Sequence, residues 1–145
     1  MKQPLGFTLL EMLLSVAAIT VIAGISIPVY QSFQARNELD IAAVTVAQSL
    51  RRAQLLAQAG DGDSNTGVRV QSGGITVFHG ASYALRDTAV DEDFSVPTSI
   101  VPSGVSEIVF TKFTGLPTSV GSFILNSSTG ETRTITINAK GSVAY

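Results

Sequence analysis

Cysteine and tryptophan are absent from the 145 residues, and histidine occurs once, as His79. Without cysteine there is no disulfide staple and no thiolate metal site. Any folded domain in this chain is therefore held by packing alone. A single histidine, placed at the end of an apolar run with no second imidazole, does not make a metal centre. Charge is also scarce: 14% of residues are Asp, Glu, Lys or Arg, and the formal net charge is −2. That balance gives no electrostatic footprint for nucleic acid or an anionic surface. No G-x-S-x-G elbow or comparable nucleophile signature occurs. No catalytic residue, cofactor site or metal site is expected. No repeat of fixed period is present, and no stretch has the composition of a disordered linker.

Two acidic clusters bear on that reading. Asp61-Gly62-Asp63-Ser64-Asn65 has the D-x-D-x-N start of a calcium loop. Such a loop then needs glycine at its sixth position and glutamate at its twelfth. Thr66 and Ser72 stand there instead, so a solvated turn is expected. Asp91-Glu92-Asp93 is expected to be an exposed loop.

What the chain does have is a long apolar run, Phe7 to Val29, behind a short head carrying Lys2. A helix of roughly twenty such residues crosses a bilayer core at 1.5 Å per residue. It exceeds the 7–15 residues of a secretory signal core. Two readings stay open: a plain anchor oriented by Lys2, or a leader cut before the apolar run. Glu11 is the only charge inside the run. A carboxylate at mid-membrane costs ~2.5–3.5 kcal/mol, and less near an end. It therefore needs a partner or a job, unless it lies in the headgroup region or is protonated.

Gly6-Phe7-Thr8-Leu9-Leu10-Glu11-Met12-Leu13 resembles the N-terminal signature of type IV pilins and of the pseudopilins of type II secretion. The resemblance implies cleavage between Gly6 and Phe7 by a prepilin peptidase, which also methylates the new amine of Phe7. It implies that Glu11 serves subunit assembly, and that Pro28 sits where many pilins have a helix kink. The physics agrees. Cleavage creates a cation about one helical turn from Glu11, and a buried charge is tolerable when paired with a neighbouring subunit's amine. Pro28 also lacks an amide donor and crowds the carbonyl near Gly24, so a kink is expected at Gly24 and Pro28. Ala17, Ala18, Ala23 and Gly24 allow close helix approach in an apolar setting.

From Gln31 to Gln58 the pattern becomes amphipathic. Leu39, Ala43, Val46, Leu50, Ala53 and Ala57 alternate spacings of four and three, which gathers them on one helix face. Gly60 and the DGDSNTG run stop the helix near Ala59. The period then changes to two. Strands are expected at Val68–Gln71, Ile75–Phe78, Phe94–Val96, Ile108–Phe113, Phe123–Leu125 and Thr134–Asn138, with a short last one at Val143–Tyr145. Ser72-Gly73-Gly74 and Ser127–Glu131 read as hairpin turns. Ser99–Gly104, with Pro102, reads as a turn or loop.

The expected fold is α+β: a long N-terminal helix, transmembrane in its first half, packed on a C-terminal antiparallel β domain. The divisions are 1–6 (leader), 7–29 (membrane and filament-core helix), 30–59 (amphipathic helix) and 60–145 (β domain). Leu50-Arg51-Arg52-Ala53-Gln54, and the tail Phe113-Thr114-Gly115 with Gly121, Gly130 and Gly141, resemble the GspH/FimT-like branch of minor subunits.

That resemblance implies a structural, non-enzymatic subunit held in the inner membrane by one pass, with its β domain outside the cytoplasm, and later built into a filament. Its implied partners are other pilin or pseudopilin subunits, the prepilin peptidase/methyltransferase, and membrane lipid before assembly. Two alternatives follow: a DNA-binding minor pilin, or an anchored β domain that never polymerises. DNA-binding members of the branch imply arginines after the final glycine. Here Lys140 precedes Gly141 and no arginine follows. Removing Lys2 leaves eight Lys and Arg of nine, against eleven Asp and Glu. Nucleic acid is therefore not an expected partner.

Overall fold

The computed structural model describes residues 6–145, apart from the side chains of 26–28. Lys2 and the Pro28 ring lie outside the described residues. One helix, α1 (Leu9–Ala59), is followed by eight strands: β1 (Thr66–Gln71), β2 (Gly74–His79), β3 (Glu92–Ser95), β4 (Val101–Gly104), β5 (Glu107–Phe110), β6 (Gly121–Asn126), β7 (Thr132–Ile137) and β8 (Val143–Ala144). The residues fall into two compact units, the first ending at Gln34 and the second being Ala35–Tyr145. The fold is α+β: one long N-terminal helix whose part from Ala35 packs on an antiparallel β domain of two sheets.

In the first unit α1 has no buried face. From Leu9 to Val29 every described large apolar side chain is 49–80% exposed. An 18-residue window reaches a mean hydropathy of 2.3 with none of it buried. Helices that are apolar all round belong in lipid or among other helices. The few polar groups satisfy themselves: Ser15 donates to the Glu11 carbonyl at 2.7 Å, and Thr20 to that of Val16 at 2.8 Å. Such bonding hides a hydroxyl from an apolar surround.

In the second unit the sheets are four-stranded, in the orders β3-β2-β1-β5 and β4-β6-β7-β8. The helix face expected from the spacing is the one buried: Leu39, Val46, Leu50, Ala53 and Ala57 have no exposure, and Ala43 has 3%. Ala42 and Ala47 widen it. It packs on Val68, Ile75, Ile108 and Phe110 of the first sheet and on Phe123, Leu125, Ile135 and Ile137 of the second. Burying one such side chain contributes about 1.5–3 kcal/mol. An exposed ion pair such as Arg36–Glu131 contributes about 0.2–1. Packing therefore attaches the helix, and the ion pairs set its register.

Four local readings are corrected. Val101–Gly104 is a strand, paired with β6 from Val101↔Asn126 to Gly104↔Phe123. Pro102 is tolerated because β4 is an edge. The strand expected over Ile108–Phe113 ends at Phe110, because Phe113 takes φ +66 in a turn. Asp91–Asp93 is not an exposed loop, since Glu92 and Asp93 open β3. The helix begins at Leu9, two residues after the expected Phe7.

Candidate functional site

The N-terminus of α1 explains its own late start. The Thr8 hydroxyl accepts from the Glu11 backbone N–H at 3.3 Å, and the Thr8 carbonyl accepts from the Met12 N–H at 3.2 Å. Thr8 is thus the N-cap, and Glu11 sits three residues on, the spacing of a capping box. Glu11 is also the acidic residue of the first turn, where it complements the helix dipole. The threonine–x–x–glutamate spacing was visible in the sequence, and Thr8 is a residue the reading of the charge pair passed over. Phe7, Thr8 and Glu11 are all exposed, and nothing lies within 4 Å of a Cβ built on Gly6. The residues flanking the expected cut are therefore accessible, and Glu11 is held on the first turn behind them. Gly24 likewise has open space around it.

The tail residues Phe113-Thr114-Gly115 have a structural use. The Phe113 N–H donates to the Ala57 carbonyl at 2.7 Å, beside the Gly60 N–H at 3.1 Å. The last turn of α1 thus receives two donors. Gln54 donates to the Gly115 carbonyl at 3.0 Å. Gly115, at φ +63, presses on Gln58, so that a Cβ there would meet the side-chain amide nitrogen at 2.7 Å. The segment caps the helix and presents no ligand group.

The acidic clusters are tied into the fold. Asp63 pairs with Lys112, whose N–H donates to Asn65 Oδ1 at 3.0 Å. Asp61 Oδ2 is 4.0 Å from His79 Nε2. His79 Nδ1 is buried with no hydrogen-bond partner among the described residues. Among those residues no group of three His, Asp or Glu is arranged to hold a metal ion. Asp91 accepts from Arg86 at 2.7 Å, and Asp93 from Thr76 at 2.6 Å. Glu92 accepts two bonds from Arg52, both 2.6 Å. Arg52 thus links α1 to β3. Arg51 lies over the Tyr145 ring, 5.8 Å from its centroid.

The hydrogen bonds from Arg52, reinforced by its charge, hold the Glu92 carboxyl below its usual value of 4.5. A carboxyl lowered in the folded state stabilises above its unfolded value and loses that contribution as pH falls through its folded value. Glu92→Gln is therefore expected to lower the denaturation midpoint at neutral pH. The gap to the parent should close as pH falls below 4.5. Denaturant titrations at several pH values check this, and a gap unchanged in acid would contradict it.

The chain is similar to two fimbrial proteins of Pseudomonas aeruginosa, each 31% identical over 111 residues. The matched region is 77% of this chain and 62% of each relative, so the chain spans less than two-thirds of the length of the curated relatives it matches. No family model matches the chain. No solved structure matches it. The apolar helix is a candidate membrane anchor.

Proposed function

We propose that the chain is a minor pilin or pseudopilin, a structural subunit of a type II secretion pseudopilus or type IV pilus. It resides in the inner membrane through α1 and has its β domain outside the cytoplasm. Prepilin peptidase cuts it between Gly6 and Phe7 and methylates Phe7, and α1 then packs among the helices of other subunits. It performs no catalysis of its own. The carrying observation is the Gly6–Leu13 motif, with Gly6 and Phe7 exposed and Glu11 held on the capped first turn of α1, whose first half is otherwise apolar. The similarity to fimbrial proteins supports the same reading.

The basic side chains argue against a nucleic-acid role. Arg36, Arg52, Arg69, Arg86, Lys112 and Arg133 each face a carboxylate. They are poorly placed to replace counterions on a phosphate backbone.

Mass spectrometry of chain recovered from cells that possess the peptidase tests the proposal. The expected species lacks Met1–Gly6 and carries one added methyl group on Phe7. Recovery of the intact leader sinks it.

A further inference from the structure

The edge of the first sheet at β3 is open, and its backbone alternates in a way the register fixes. Gly74 pairs with Ser95 and Val77 with Glu92, and the Val96 N–H donates to the Gly73 carbonyl at 3.2 Å. Glu92, Phe94 and Val96 therefore turn their amides toward β2. Asp93 and Ser95 turn theirs outward, as residues do alternately in an antiparallel ladder. Among the described residues no strand lies beyond them.

Both faces of this edge are hollow. On the helix side, a cleft of about 490 Å³ is lined by Thr45, Gln48, Ser49, Arg52, Glu92 and Phe94. On the outer side, a cleft of about 360 Å³ includes Thr76, Tyr83, Arg86, Asp91, Asp93 and Ser95. A strand added at an edge sends alternate side chains to opposite faces, so it fills one cleft and then the other.

The two clefts ask for different side chains. In the helix-side cleft Arg52 and Glu92 already satisfy one another, so an uncharged side chain fits. The outer cleft holds two carboxylates against the single guanidinium of Arg86. Arg86 is taken by Asp91 at 2.7 Å, which leaves the exposed carboxylate of Asp93, bonded among the described residues only to the Thr76 hydroxyl, as the uncompensated charge. Asp93 favours a cationic donor.

We propose that β3 is a docking edge for an extended, lysine- or arginine-bearing segment of a partner polypeptide, which adds beside Asp93 and Ser95 as a further strand of the first sheet. Residues of that segment opposite Asp93 carry the cation, and the residue opposite Phe94 is neutral. Main-chain bonds give the affinity, and the acidic outer cleft gives the selection. The site does not depend on cleavage at Gly6 or on filament assembly.

The test uses the full chain in non-ionic detergent micelles and two labelled nonapeptides, alternating Thr–Lys and alternating Thr–Glu, followed by fluorescence anisotropy. The Thr–Lys peptide should bind at least about tenfold more tightly, a readily resolved difference. Methylating its alternate backbone nitrogens should weaken it by a similar factor. Ser95→Pro removes an outward N–H without breaking a bond to β2, a substitution that edge strands accept. It should weaken the peptide about tenfold at an unchanged melting temperature. Amide exchange at Asp93 and Ser95 should slow on binding to the parent chain, which tests the edge even if the proline variant folds poorly. Equal binding of the two nonapeptides overturns the proposal. So does undiminished binding of the methylated peptide, or protection elsewhere than β3. A dimer of this chain that the peptide disperses would assign the edge to a second copy and overturn it too.

Discussion

Glu11→Ala is expected to leave the chain processed and in the membrane fraction but to remove it from sheared filaments. In the proposed assembly the Phe7 amine of one subunit meets Glu11 of another within an apolar bundle. Removing one member of a buried pair costs about 3–5 kcal/mol, because the other charge stays behind unpaired. That corresponds to roughly a hundred- to several-thousandfold loss in the association constant. The local role of Glu11 cannot produce such an effect, since an acidic group in a first helical turn contributes about 0.3–1 kcal/mol. Glu11→Gln separates the two further. It keeps the side-chain length and removes the charge, so its loss should match that of alanine. Immunoblots of sheared and membrane fractions, normalised to processed chain, read the result. Wild-type recovery of either variant in filaments would refute the charge-pair assignment.

Gly104→Ala is expected to be the most destabilising small substitution in the β domain, by about 3–5 kcal/mol, a size reached only through specific steric or packing faults. Gly104 ends β4 at φ +85, where an L side chain is strained. A Cβ there also overlaps the Ser122 carbonyl oxygen and lies 3.4 Å from its carbon. That oxygen accepts the Val105 N–H at 3.1 Å, so relieving the overlap breaks a ladder bond and moves an edge strand. Gly130 is the matched control. It has φ +83, but nothing lies within 4 Å of its Cβ position. Gly130→Ala should cost only the backbone strain, about 1 kcal/mol. Denaturant midpoints of the two variants in micelles give the comparison, and equal losses would show that the contact with Ser122 carries no weight.

The elements legible in the sequence are those with an unbroken period. The face from Leu39 to Ala57 was readable because both sheets press on the same stripe. The alternation in Val68–Gln71 and Ile75–Phe78 was readable because each strand has an inner and an outer row. β4 was not, because Val101-Pro102-Ser103-Gly104 carries a proline and a glycine that only an edge position and a positive φ accommodate. Asp91–Asp93 read as loop because charge suggests solvent. What turns those residues into strand is a set of distant partners: Arg52 is forty residues away from Glu92. The grouping of eight strands into two sheets leaves no local trace at all. At the N-terminus, Thr8 was hidden in plain view, since its hydroxyl acts on the helix backbone.

The attachment of α1 within Ala35–Tyr145 has a mechanical consequence. The helix is fastened at Arg36 to Glu131, at Asp40 to Arg133 and at Arg52 to Glu92. It is packed from Leu39 to Ala57 and capped at Ala57 by the Phe113 amide. A pull entering at Ala35 along the helix axis loads these contacts side by side, in shear. They do not yield one after another like the teeth of a zip. Under tension the lifetime of such an arrangement is set by its unfolding rate, and here that rate requires the whole stripe to slip at once.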